Sequence, residues 1–166
     1  MIKEIVPDIY TWSEFSQEKQ LNFNGYFVRA SGESVLIDPP GLSKEDLNEM
    51  EERVAALDGN ELKAILLTNT HHDRASLELK KRFKVPIMVH ENDKDLLGFS
   101  PDRTFKHAEN IFCGIQAINI RDQKSPGESG FLMEKRKTLI IGDALIGKVP
   151  GKLNLLPADK YKDIGK

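Results

Sequence analysis

A chain of 166 residues, 39% hydrophobic and 30% charged, has the composition of one ordinary globular domain over 1–166, long enough to bury a core without disulfide staples. Its 24 Lys and Arg against 26 Asp and Glu leave a formal net charge of −2, a balance that favours neither nucleic acid nor an anionic membrane as partner. Met1-Ile2-Lys3-Glu4-Ile5-Val6-Pro7 carries charges where a signal peptide needs an apolar core, and no window approaches the ~18–20 apolar residues of a membrane span, so cytoplasm is the default compartment. The one cysteine, Cys113, cannot close an internal disulfide, which fits a reducing compartment; beside Ile111 and Phe112 it reads as a small buried apolar residue.

Ile9 to Trp12 has strand composition, and Asn22 to Arg29 gives a second strand. Ser31-Gly32-Glu33-Ser34 supplies a turn into a third, Val35-Leu36-Ile37. Asp38-Pro39-Pro40-Gly41 ends this hairpin, because neither proline can donate to a ladder. Ser43 is placed to cap a helix whose first turn holds Glu45 and Asp46; Leu47, Met50, Val54 and Leu57 mark its apolar face, and Asp58-Gly59-Asn60 closes it. Ala64 to Leu67 reads as a buried strand.

That strand runs into Thr68-Asn69-Thr70-His71-His72-Asp73-Arg74-Ala75-Ser76. Polar side chains able to move protons or bind metal are thus delivered to the carboxyl end of a strand, a preferred place for a site in an α/β protein. Helical spacing follows, with Ala75, Leu79 and Phe83 on one face. Val85 to Val89 is a further short strand, and Asp93 to Leu97 a helical turn. Short β-segments follow: 104–106, 110–112, 116–120, 130–133 and 138–141. Two β-rich portions separated by helices suggest a two-sheet sandwich. The stretch 146–166, with Pro150-Gly151, Pro157 and five lysines from Lys148 onward, reads as an irregular tail.

Four landmarks in this order resemble the metallo-β-lactamase-fold hydrolase superfamily. They are Leu36-Ile37-Asp38-Pro39, the 65–68 strand leading into a His-x-His-x-Asp-His frame, Ser125-Pro126-Gly127-Glu128, and Leu139-Ile140-Ile141-Gly142-Asp143. The resemblance implies an α/β fold, a four-layer αββα sandwich with its site at one edge of two sheets, shortened at the C-terminus. It also implies hydrolase ancestry with a pair of catalytic metals. Placed in the family frame, the ligand positions hold Asn69, His71, Asp73 and Arg74; the third-histidine position falls on Lys124, and the bridging aspartate is Asp143. Asn69, Arg74 and Lys124 therefore replace metal ligands.

A catalytic zinc takes three protein ligands and an open position. The first family site keeps His71 and Asp143 and the second keeps Asp73 and Asp143, so neither reaches three without recruiting His72 or an outsider. Two carboxylates facing each other without metal would each be driven to take up a proton, and Arg74 and Lys124 supply positive charge that would keep Asp73 and Asp143 ionised. The expectation is an internal salt-bridge network in place of the metals, and no cofactor.

Three readings remain open. The first is a degenerate hydrolase that binds a small molecule or acts as a scaffold. In the second, His71, Asp73 and Asp143 hold one divalent ion (zinc, iron or manganese), which activates water towards an ester, thioester or phosphoester. In the third, a metal-free hydrolase, His72 is the base, with Lys124 or Arg74 stabilising an oxyanion. Against these stand plain alternatives: His71 as a half-buried structural histidine, Asp73 as a helix N-cap, Asn69 as a turn residue, and His90 and His107 as solvated or structural. Ser125 has no histidine and acid arranged in the sequence to activate it. Glu91-Asn92-Asp93 reads as a solvated charge run. If the family's closing strand is missing, the open sheet edge invites homo-oligomers.

Overall fold

A computed structural model describes residues 1–56, 61–149 and 151–155. They form two compact units, each assembled from separate stretches of chain: Met1–Leu66, His72–Ile87 and Phe112–Gly114 in the first, and Leu67–His71, Met88–Ile111 and 115–166 in the second.

The first unit is built on β1 (Lys3–Val6), β2 (Ile9–Ser16), β3 (Leu21–Ala30), β4 (Glu33–Ile37) and β5 (Glu61–Leu66), which lie side by side in chain order. β1 to β4 pair antiparallel; β4 and β5 are parallel. That switch needs a crossover, which α1 (Lys44–Ala55) supplies. The hairpin of β3 and β4 turns in two residues. Ala30 pairs with Glu33, and Ser31 and Gly32 have φ of 54° and 79°, the left-handed backbone that matches strand twist. Ser43 caps α1 as its sequence predicts, its hydroxyl accepting the Asp46 N–H at 3.0 Å. Met50 is fully buried on the face that the helical spacing marks. Leu57 and the expected stop at Asp58-Gly59-Asn60 lie outside the described residues. The core gathers Ile9, Trp12, Phe27, Leu36, Ile65 and Leu66, all at most 2% exposed. β1 is a strand the composition does not announce, since Lys3 and Glu4 are solvated on an outermost strand.

In the second unit, β6 (Ile87–His90) pairs in parallel with β7 (Arg103–Phe105). β8 (Gln116–Asn119), β9 (Ser129–Met133) and β10 (Thr138–Ile141) form an antiparallel sheet in the order β10-β9-β8. Phe105 and Phe131 meet edge to face at 5.6 Å in its core. Two expectations need correction. The β-segment at 110–112 is a single bridge, Asn110 to Gln116, because a 3-10 turn at Phe112–Gly114 intervenes, with Cys113 at φ 60°. The stretch expected to be an irregular tail begins with a hairpin, β11 (Ile146–Val149) and β12 (Lys152–Asn154), where Gly151 at φ 77° makes the turn. Pro150, Pro157 and the last three lysines lie outside the described residues. Cys113 is buried at 4% exposure, as its neighbours predict.

Candidate functional site

In the first unit the site begins where β4 ends. Asp38 adopts φ 48°, a conformation asparagine and aspartate tolerate better than most residues, and its N–H reaches the Leu66 carbonyl at 3.0 Å. The Pro39 carbonyl accepts the Ala75 N–H at 3.1 Å, and the Pro40 carbonyl accepts from the Trp12 indole at 3.4 Å. The Asp38-Pro39-Pro40 corner, read from sequence as a strand terminator and part of a family landmark, is thus tied to β5, to the start of α2 (Ser76–Phe83) and to β2.

The corner aims a carboxylate at an imidazole. Asp38 Oδ2 lies 2.9 Å from His72 Nδ1, with both side chains buried. Tyr26 is close enough to feel the pair: burial first, and then the Asp38 charge, push its phenol above the ordinary range. Arg74 follows with a strained φ of 25°; its guanidinium lies 4.1 Å above the Phe23 ring and reaches the carbonyls of Asn24 at 3.5 Å and Asp38 at 3.4 Å.

Asp73 does not cap α2. The cap position is Ala75, while Asp73 Oδ1 accepts the N–H of Arg74 at 2.9 Å and its carbonyl that of Ser76 at 2.7 Å. The sharp turn at Arg74 pushes the helix start beyond reach of the Asp73 side chain.

The second unit holds the other half of the sequence-predicted set. Asn69 is fully buried; its Oδ1 accepts the His71 N–H at 2.8 Å, which fixes the amide orientation, and its Nδ2 has no acceptor among the described residues. His71 itself is exposed. Thr70 approaches Ser125, N–H to Oγ at 3.5 Å and hydroxyl to hydroxyl at 3.4 Å. Ser125 donates to Asp93 Oδ2, and Gly127 N–H donates to Asp93 Oδ1 at 2.7 Å. Asp93 is therefore not part of a solvated run: it is fully buried at the hub of the Ser-Pro-Gly loop. Ser129 N–H donates to the Thr68 carbonyl at 2.8 Å. Glu128, 1% exposed, packs beside Thr68 and Gly142, next in the chain to the half-buried Asp143.

Lys124 does not enter an internal network. It is exposed and, among the described residues, makes no ion pair. Asp73 likewise has backbone donors and no cation within salt-bridge distance among those residues. Lys124 and Asp73 thus add no ion pair to the expected network among the described residues.

The donor chemistry also bears on a metal. A divalent ion needs lone pairs, and the first ligand position of the frame offers an amide whose oxygen is engaged and whose buried nitrogen carries only protons. An ammonium at Lys124 has no lone pair. Among the described residues, no three His, Cys, Asp or Glu side chains gather in a metal-holding group. Three acids that matter here, Asp38, Asp93 and Glu128, were not singled out from sequence. The signals for Asp38 were its place between a buried strand and two prolines and within the first family landmark.

Comparison with known proteins now bears on this geometry. A family model described as the metallo-beta-lactamase superfamily matches residues 2–166. The chain is 23% identical over 154 residues to a probable metallo-hydrolase, YqgX, of Bacillus subtilis (strain 168), covering 80% of this chain and 71% of that protein. Among solved structures, the DIM-1 metallo-beta-lactamase superposes with a TM-score of 0.73 at 18% identity, over 89% of this chain and 71% of that one. A metallo-beta-lactamase from Pontibacter korlensis does so at 0.68 and 20%, over 88% and 72%. At such identities the structural likeness establishes the α/β metallo-β-lactamase fold, and the family match runs through all the landmarks described above. The chain belongs to the metallo-β-lactamase superfamily.

Proposed function

We propose that this protein is a member of the superfamily whose paired-metal hydrolysis is lost, and that its surviving role is to bind a small molecule without a metal cofactor. The observation that carries this reading is Asn69. A histidine at that position would turn a ring nitrogen to the metal, whereas this amide spends its oxygen on the His71 N–H and buries a donor. Arg74 and Lys124 stand at two further ligand positions of the family frame, and neither a guanidinium nor an ammonium has a lone pair to give a metal. The reading places the protein in the cytoplasm, in keeping with its single buried cysteine; no helix among the described residues is long and apolar enough to cross a membrane. Metal analysis of protein purified without chelator tests it. Less than about a tenth of an equivalent of zinc, iron or manganese is expected, and a stoichiometric ion, held by His71, Asp73 and Asp143, would overturn it.

The Asp38–His72 pair favours a second reading, a metal-free hydrolase in which His72 takes a proton from water as it attacks an ester carbonyl. A carboxylate-oriented imidazole has the arrangement of a general base, a role worth roughly 10²–10⁴ in rate. Hydrolysis of p-nitrophenyl acetate that survives chelator and disappears in His72→Ala supports it; hydrolysis abolished by chelator excludes it.

A further inference from the structure

We propose that Asp38 is the positioning residue of His72, its carboxylate holding the Nδ1 proton and thereby leaving the lone pair of the neutral ring on Nε2. The proposal rests on the reading in which His72 is a base, and it names which nitrogen acts and what sets it.

A carboxylate has lone pairs and no proton to give, so an imidazole 2.9 Å away must present Nδ1–H; an unprotonated Nδ1 would set lone pair against lone pair. The contact is out of water, with the side chains 9% and 4% exposed, where an unsatisfied polar atom is most costly. The carboxylate is also held in place from the main chain. Asp38 keeps a left-handed backbone that its neighbours enforce: its own N–H is bonded to Leu66, Pro39 receives the N–H of Ala75, and Pro40 that of the Trp12 ring. The same corner that starts the crossover to α1 therefore fixes the tautomer of a histidine 34 residues further on. A group meeting Nε2 must then offer a proton or an electrophilic centre, as water, an alcohol or an acyl carbon does.

Two-bond proton–nitrogen correlation spectra of the ¹⁵N-labelled full chain at neutral pH test the assignment. The wild-type His72 ring is expected as the Nδ1–H tautomer, and an Nε2–H ring would overturn the proposal. In Asp38→Ala the preference should vanish and the Nε2–H form appear; an unchanged Nδ1–H signature there would also overturn it. Should that variant not fold, the wild-type spectrum alone decides. Hydrolysis of p-nitrophenyl acetate in chelator separates the two ideas. A rate that His72→Ala leaves intact refutes the base while the tautomer stands. A kcat lowered at least tenfold in Asp38→Ala at unchanged KM supports both.

Discussion

The carboxylate of Asp93 accepts the hydroxyl of Ser125, two buried groups 32 residues apart in the chain. Its second oxygen takes the Gly127 N–H, so one side chain satisfies two donors of the Ser-Pro-Gly loop. Asp93→Ala leaves the Gly127 N–H without this acceptor, leaves the Ser125 hydroxyl only the long contact to Thr70 at 3.4 Å, and opens a hole. A loss of about 2–4 kcal/mol is expected by urea denaturation, from hydrogen bonds to a charged group and the desolvation of what remains. A change below about 0.5 kcal/mol would contradict the hub role.

Gly142 is fixed by its neighbours. A Cβ there would run into the Glu128 carboxylate and the Thr68 hydroxyl, both on buried residues. Gly142→Ala should cost about 1–3 kcal/mol through overpacking, read as a lower thermal midpoint. Glu128→Ala in the same chain should return part of it, and strict additivity of the two changes would disprove the collision.

His90 sets a pH dependence. Its ring is buried at the end of β6, accepts the Asn92 N–H through Nδ1 and meets Phe105 edge-on. Burial holds its pKa below the ordinary value near 6.5, against the opposing pull of Asp93 and Glu91 and with a smaller push from His107. The folded pKa is the lower one, so between it and about 6.5 the unfolded chain binds more protons. Stability therefore falls as pH drops through that window and is unaffected above it. Denaturation midpoints of wild type and His90→Gln across pH 5 to 8 check this; equal acid slopes would refute it.

Edges of the sheets differ in how they meet water. β1 carries Lys3 and Glu4 with a register shift, and the flank of β8 is covered by Ala108 and Glu109. β10, Thr-Leu-Ile-Ile, has neither charge nor proline, exposes Leu139 by half, and among the described residues pairs on one side alone. Concentration-dependent association is expected in light scattering, abolished by Leu139→Lys. A wild type that stays monomeric at high concentration would refute it.

Much of the fold was legible because it is written in local chemistry. The Ser43 cap, the Ser31-Gly32 turn, Met50 on its helical face and the buried run 64–67 each follow from one residue and its near neighbours. The family landmarks were legible for the same reason, being contiguous strings. The site was less so. Asp38 and His72, or Asp93 and Ser125, become pairs only after folding, and nothing near Asp93 distinguishes it from its exposed neighbour Glu91. Lys124 misled in the other direction: its place in a motif suggested an inward charge, but a long stem lets an ammonium stay in water at little cost.

Phe112–Gly114 belongs to the first unit while the chain on both sides of it belongs to the second. There the Cys113 N–H donates to Glu33 Oε2 at 2.9 Å, and its thiol lies 3.7 Å from the Val28 carbonyl, contacts that span 80 residues or more. On the ribosome, then, the hairpin of β3 and β4 is made early but waits for its last partner until residue 114 has emerged. Neither unit is a contiguous piece of sequence that a protease or a truncation could release intact, and folding has to close long loops before its contacts are rewarded.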